Sequence, residues 1–450
     1  MTSTGRTDPV RIGCGAGFAG DRIDAAVDLV RRGRLDYLVL ECLGERTIAI
    51  AQLKRMRDPE AGYDGLLERR ARALLPVLVG TNTRLVTNFG SANPMAAGRR
   101  LLEIAGELGL ADNADVAVVT GDDVLDRLDL ESLAWEDGLP LFEHGETVSA
   151  HAYIGADALL PGLATGARVV VAGRVADPSL SVAPLVHEFG WALDDWEAIA
   201  RATTAGHLLE CAGQITGGYY ADPPRKPVPD LAHLGYPVAE VTSGGQVVVS
   251  KLDGTGGLVD RHTVIEQLLY EVTDPREYIT PDVRLDITRV EVDELGPGRV
   301  RVRNARGRSR PDALKVSVGY RAGFRCEAEI SYAGRGALDR ARLAGDVVRK
   351  RIGDQVKHVR IDLVGATSIH GATLAAGREP YECRLRVAAL EDTAELAEVV
   401  ADEVTALYTN GPAGGGGLRT RTDEVIGVLS TTVPRADVEL GVTHLSGSGR

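Results

Sequence analysis

The stretch "GHLLECAGQITGG" (residues 206–218) sets Glu210, Cys211 and Gln214 three, four and seven positions after His207. On a helix these four share one face, and the glycines at 217 and 218 would end it. An imidazole beside a carboxyl can pass a proton, and a thiol beside histidine can become a thiolate nucleophile. His207, Glu210 and Cys211 are therefore the candidate catalytic residues. The same side chains ligate metals, but their spacing fits neither HExxH nor another specific template, so a divalent metal stays open. A polar helix face buried between elements would leave the same pattern.

The other candidates stand where apolar runs end. "SKLDGTGG" places Lys251 ahead of a glycine-rich turn with Thr255 and Gly256, a combination suited to a phosphate or a CoA pyrophosphate, although it is not a Walker A loop. In "GRVADPS" an arginine leaves a buried run, which calls for a carboxylate partner or an anionic ligand; Arg174 and Asp177 are the candidates. "TGDD" offers Asp122 as a metal, sugar-hydroxyl or capping carboxylate. "TNFGSANP" offers the amide of Asn88, while Asn93 is placed to cap a helix that starts with Pro94.

The opening "VRIGCGAGFAGD" reads strand, Gly15-x-Gly17-x-x-Gly20, helix, with Glu41 where a ribose-binding acid belongs. Asp21 speaks against a pyrophosphate there, because it is placed to cap the helix and would add like charge. With Arg22 it reads instead as one wall of a polar site.

Positioning these residues takes apolar runs such as "LDYLVLEC", "DVAVV" and "ARVVVAG", separated by amphipathic segments. Such runs predict an α/β fold with a Rossmann-like, mostly parallel sheet covered by helices on both faces and ligands beyond the strand ends. Helices are expected at 21–32, 45–58, 64–75, 94–109, 178–189 and 194–213. Beyond 281 the grammar changes to period-two alternation in "VRLDITRVEVDE", "GRVRVRNA", "ALKVSVGY" and "FRCEAEISY", which predicts a smaller α+β domain. The expected organisation is a flexible tail over 1–8, a ligand-binding domain over 9–280 and the α+β domain over 281–450.

A net charge of −13 repels nucleic acid and anionic membranes. The five cysteines show no CxxC, so a zinc ribbon is excluded and a disulfide framework is not expected. No run approaches the roughly 18 apolar residues of a membrane span, and "MTSTGRTDP" lacks the apolar run of a signal peptide. The expected setting is the cytoplasm, with no membrane or nucleic-acid partner, a small anionic substrate and self-association into a homo-oligomer.

In "GAGFAGDRIDA", "LDYLVLECLGERT", "VTNFGSANP", "VVVAGRVADPSLSVAPLVHEFGW", "AGHLLECAGQITGGYY", "LGYPVAEV", "GTGGLVDRHTVIEQLLYEV" and "ALYTNGPAGGGG" the chain resembles the acyclic terpene utilisation (AtuA) family. The order of these segments covers nearly the whole sequence. The resemblance implies a cytosolic catabolic protein of the kind encoded beside enzymes that degrade geranyl-type and other branched acyl-CoA compounds. It also implies the core domain without the small C-terminal extension of many members. His151 stands where asparagine is expected in relatives, so the terpene label is not carried over as a substrate.

Residues and resemblance together predict a lyase, hydratase or acyl-handling enzyme acting on a small carboxylate or branched acyl-CoA. Arg174, Lys251 and the 254–257 turn would hold the anion, Asn88 would orient a carbonyl, and His207 with Glu210 would move protons. CoA is left open as part of the substrate. A non-catalytic ligand-binding or assembly subunit, and a nucleotide-dependent oxidoreductase, are the alternatives.

Overall fold

The computed structural model describes residues 6–375 and 379–447. In chain order its strands are β1 (Val10–Gly17), β2 (Tyr37–Glu41), β3 (Arg84–Thr87), β4 (Asp115–Thr120), β5 (Thr147–Ala152), β6 (Val169–Val171), β7 (Pro237–Val241), β8 (Val247–Lys251), β9 (Tyr278–Ile279), β10 (Arg284–Asp286), β11 (Glu291–Gly296), β12 (Arg299–Arg303), β13 (Arg306–Arg308), β14 (Ala313–Ala333), β15 (His358–Val364), β16 (Glu382–Glu391), β17 (Gly416–Pro434) and β18 (Gly441–Ser446). The helices are α1 (Asp24–Arg32), α2 (Glu45–Arg57), α3 (Leu67–Val79), α4 (Pro94–Glu107), α5 (Ala156–Ala164), α6 (Ser179–Phe189), α7 (Trp196–Leu209), α8 (Arg261–Leu269), α9 (Ala337–Ile352), α10 (Gly371–Ala375) and α11 (Ala394–Asn410). None of them is long and apolar enough to cross a membrane.

The described residues form two compact units: one takes those up to Leu141, Val148–Gly319 and those from Val428 on; the other takes Phe142–Thr147 and Tyr320–Gly427. In the first, a large sheet runs β11-β12-β8-β7-β1-β2-β3-β6-β4-β18. Its centre, β1 to β4 by way of β6, is parallel. Every residue of β2 and β6 is buried, as apolar strands covered on both faces require. Helices α1, α3 and α4 pack as one layer and α5, α6 and α7 as another. The strand order reverses after β4, so right-handed crossovers carry the later helices to the second face. Antiparallel β7, β8, β11 and β12 extend one flank and antiparallel β18 closes the other, making the sheet mixed rather than mostly parallel.

The second unit is a sheet segment under two helices. Phe324–Ala333 of β14 pairs antiparallel with β16, which pairs with β15. Alternate residues Cys326, Ala328, Ile330 and Tyr332 face a core shared with Leu385 and Val387 of β16, Ala341 and Val348 of α9, and Val400 and Val404 of α11. This is the period-two, one-face-buried pattern of an antiparallel sheet.

Three expectations are corrected. A boundary at Thr280–Pro281 does not divide the units, because β11 and β12 continue the large sheet from β8 and β18 returns to β4. "ALKVSVGY" and "FRCEAEISY", read as two strands, are one strand, β14, which runs on through Gly323 at φ +106. Residues 1–5 of the expected flexible tail lie outside the described residues; Arg6 is tied by its guanidinium to Asp36 at 2.8 Å and Glu188 at 2.9 Å.

Candidate active site

A cavity of about 560 Å³ opens beyond the carboxyl ends of β1 and β2, where open α/β sheets bind ligands. The carboxyl groups of Asp21, Glu41, Asp177, Glu210 and Glu271 line it, and none of its lining side chains is basic. Cys211, Gln214, Tyr236 and Tyr270 complete much of the wall.

Glu210 reaches the cavity from the end of α7. That helix stops at Leu209 with Glu210 at its C-cap, and Ala212 takes φ +41 at the start of a short 3-10 turn. The expected helix to 213 is therefore cut short. Glu210 and Cys211 line the cavity, whereas His207 is 1% exposed and lies behind Glu210. Its Nδ1 is 2.6 Å from Glu210 Oε1 and its Nε2 is 3.2 Å from the Leu268 carbonyl. The Gln267 side-chain amide donates to the His207 carbonyl at 2.9 Å, and the Tyr278 ring lies 5.1 Å from the imidazole. Burial pushes the Glu210 carboxyl up to about 7 against the pull of His207. Burial opposes the imidazolium, but Glu210 and the Leu268 carbonyl outweigh it and raise His207. Glu210 Oε2 is buried without a hydrogen-bond partner among the described residues.

Glu41 leaves β2 with its Oε1 held by the Leu43 amide at 2.7 Å and the Asn88 side chain at 2.9 Å. Asn88 in turn accepts from the Cys42 amide at 2.7 Å, so its side chain positions Glu41 from behind and does not line the cavity. Burial first, and then the charge of Asp177, raise the Glu41 carboxyl well above the usual range against Arg174 and Asn88. Burial likewise raises Asp177 against the Arg174 charge.

Arg174 does not offer its guanidinium to a ligand. It is 1% exposed and bonded to Asp177, the Leu43 carbonyl and, at 2.5 Å and 3.2 Å, the Val175 carbonyl. Its guanidinium also stands 4.5 Å from the Tyr153 ring centroid. The arginine thus satisfies the carbonyls beneath Asp177, and the expected anion clamp is instead an internal support.

The opening glycines serve packing. A β-carbon on Gly17 would strike the Cys211 backbone and the Glu210 carbonyl, so glycine lets β1 end directly against the end of α7. The Gly17 amide is taken by the Asp21 carboxylate at 2.8 Å. Asp21 therefore closes the turn and lines the cavity without capping α1, whose N-cap is Ile23 with no side-chain bond.

Other expected residues lie apart. Lys251 donates to the Thr255 carbonyl at 2.7 Å, the Thr255 hydroxyl donates to the Leu252 carbonyl at 2.7 Å, and the Gly256 amide donates to the His233 carbonyl at 2.8 Å; none lines this cavity. Arg22 bonds the Ala232 carbonyl at 2.6 Å outside it. Asp122 is buried, accepting from the Arg174 amide at 2.7 Å and lying 3.1 Å from His151 Nδ1. Cys211 faces the cavity, but burial and the neighbouring Glu210 charge push its thiol up, which opposes a thiolate. Sequence reasoning passed over Glu271, Tyr236 and Tyr270. Glu271 follows α8 at φ +59, and only folding brings that helix end against the strand exits. Among the described residues, no group of three or more His, Cys, Asp and Glu side chains is placed to hold a metal ion.

Fold and site together define a mixed α/β protein with an acid-lined cavity at the ends of its parallel strands. The chain belongs to the acyclic terpene utilisation family: the family description "Acyclic terpene utilisation family protein AtuA" matches residues 10–444. No curated protein matches it.

Proposed function

We propose that this protein is an acid–base catalyst of the lyase or hydratase class, acting on a neutral acyl derivative that carries a carbonyl and a nearby hydroxyl or double bond. The observation that carries this reading is the pair of carboxyls on one cavity: Glu210, pushed by burial up to about 7, and Glu41, raised well above the usual carboxylate range by burial and the charge of Asp177. Two carboxyls on one cavity with different partners, an imidazole for Glu210 and the Leu43 amide and Asn88 for Glu41, are suited to separate base and acid roles. In the dehydrating direction, Glu210 removes a proton from the carbon next to the carbonyl. The carbon–oxygen bond at the next carbon breaks, and Glu41 gives its proton to the leaving hydroxyl, releasing water and a double bond. Hydration is the reverse. His207, bonded to Glu210, is a positioning residue that stabilises either state of the shared proton.

The acid lining favours a thioester or ester at the reacting end over a free carboxylate, which the five carboxyl groups would repel. The test uses short 3-hydroxyacyl and 2-enoyl thioesters of N-acetylcysteamine, followed by proton NMR in D₂O. Interconversion, or deuterium entry beside the carbonyl, is expected for the native protein. Either Glu210→Gln or Glu41→Gln should lower it by about 10²-fold or more. No conversion or exchange by the native protein, or full turnover in both variants, overturns the reading.

A further inference from the structure

A second cavity, of about 840 Å³, shares no lining residue with the first. In a chain of net charge −13 it is lined by five cations, Arg11, Arg32, Arg34, Lys251 and Arg299, and by one carboxylate, Asp253. Glu240 neutralises part of this charge, pairing with Arg11 and, at 2.8 Å, with Arg299; Asp28 lies 3.8 Å from Arg32. Two cations keep no carboxylate within bonding distance among the described residues. Lys251 has only the Thr255 carbonyl and hydroxyl, and Arg34 is exposed, at φ +47, with no bonded partner. The chain continues from Lys251 through Gly254, at positive φ, where open space in place of a β-carbon lets a ligand approach the backbone.

We propose that this cavity binds a pyrophosphate-bearing anion, held by Arg34 and Lys251 with Arg32 and Arg299 around them. Guanidinium forks match phosphate oxygens in pairs, and a lysine adds a point charge. The space exceeds what a single phosphate fills, and the cations come from separate parts of the chain: the end of α1, the end of β8 and the start of β12. Like charges gathered round a cavity are stabilised by a ligand that carries more than one negative charge. This site stands whether or not the acid–base reading of the first cavity does.

The test is calorimetric titration of the full chain with inorganic pyrophosphate, ADP and orthophosphate at one ionic strength. Pyrophosphate and ADP are expected to bind at least ten-fold more tightly than orthophosphate. Arg34→Gly, which relieves the positive φ while removing the charge, and Lys251→Met should each weaken both at least ten-fold. Arg31→Ala, an exposed arginine outside the cavity, should leave them unchanged. Equal affinity for pyrophosphate and ADP assigns the site to free pyrophosphate chemistry, and a tighter ADP assigns it to a nucleotide; both support the proposal. No binding of pyrophosphate or ADP, orthophosphate binding as tightly, or equal losses in Arg31→Ala, overturns it.

Discussion

His207 Nδ1 lies 2.6 Å from Glu210 Oε1 while its Nε2 faces the Leu268 carbonyl at 3.2 Å. A carbonyl only accepts, so Nε2 carries hydrogen. One further proton is shared across the short contact. The imidazole thereby fixes the orientation of Glu210 at the cavity wall.

This pair gives stability a pH dependence. Glu210 is raised from its ordinary 4.5 to about 7 and Asp282, buried against the Ser179 hydroxyl and the Ala156 amide, from 3.8 to about 6. A carboxyl with a raised folded pKa stabilises below its unfolded pKa, and that stability is lost as pH rises through the folded value. Urea unfolding should therefore show stability falling between about pH 4 and pH 7. Replacing Glu210 with Gln should remove a contribution on the order of 2–3 kcal/mol from that fall. An unchanged slope in the variant would count against the raised Glu210 carboxyl.

Gly17→Ala should destabilise by about 1–3 kcal/mol and disturb the cavity, because its new methyl meets the backbone of residues 210 and 211, not a flexible side chain. Thermal unfolding and the thioester assay read the two effects. Gly106→Ala, in open space on α4, serves as a control and should not destabilise.

Removing Arg174 should cost about 3–5 kcal/mol, measured by urea unfolding of Arg174→Met. The substitution leaves Asp177 without its cation and strands the Leu43 and Val175 carbonyls. Arg174→Lys should recover only part of the loss, since an ammonium cannot span the same three acceptors as a planar fork.

Cys211 should behave as a protected thiol. Iodoacetamide at pH 7.5, followed by intact-mass measurement, should label it far more slowly than in the urea-unfolded chain, because burial and Glu210 oppose the thiolate. Cys211→Ala should keep turnover of any thioester that the native protein converts. Rapid labelling with loss of turnover would return the residue to a nucleophilic role.

Much of the frame was legible in the residues themselves. Continuous apolar runs announced β1, β2, β4 and β6 and placed Glu41, Asn88, Asp122 and Arg174 at strand exits, because a strand covered on both faces has no polar positions to spare. "HLLE" likewise put His207 and Glu210 one helical turn apart, close enough to share a proton.

Which exits meet was decided by tertiary structure. The reversal of strand order after β4 brings the end of α7 against β1, where only Gly17 allows so close an approach, and so gathers Glu210, Glu41 and Asp177 round one space. The same arrangement turns His207 and Asn88 inward as supports and uses up the Arg174 charge on nearby carbonyls. Lys251 is carried to a different cavity, because β8 joins the sheet beyond β7 and not beside β2. Residue types and local spacing reveal which groups can do chemistry; the packing of distant segments determines which of them face the same cavity, where burial resets their proton affinities.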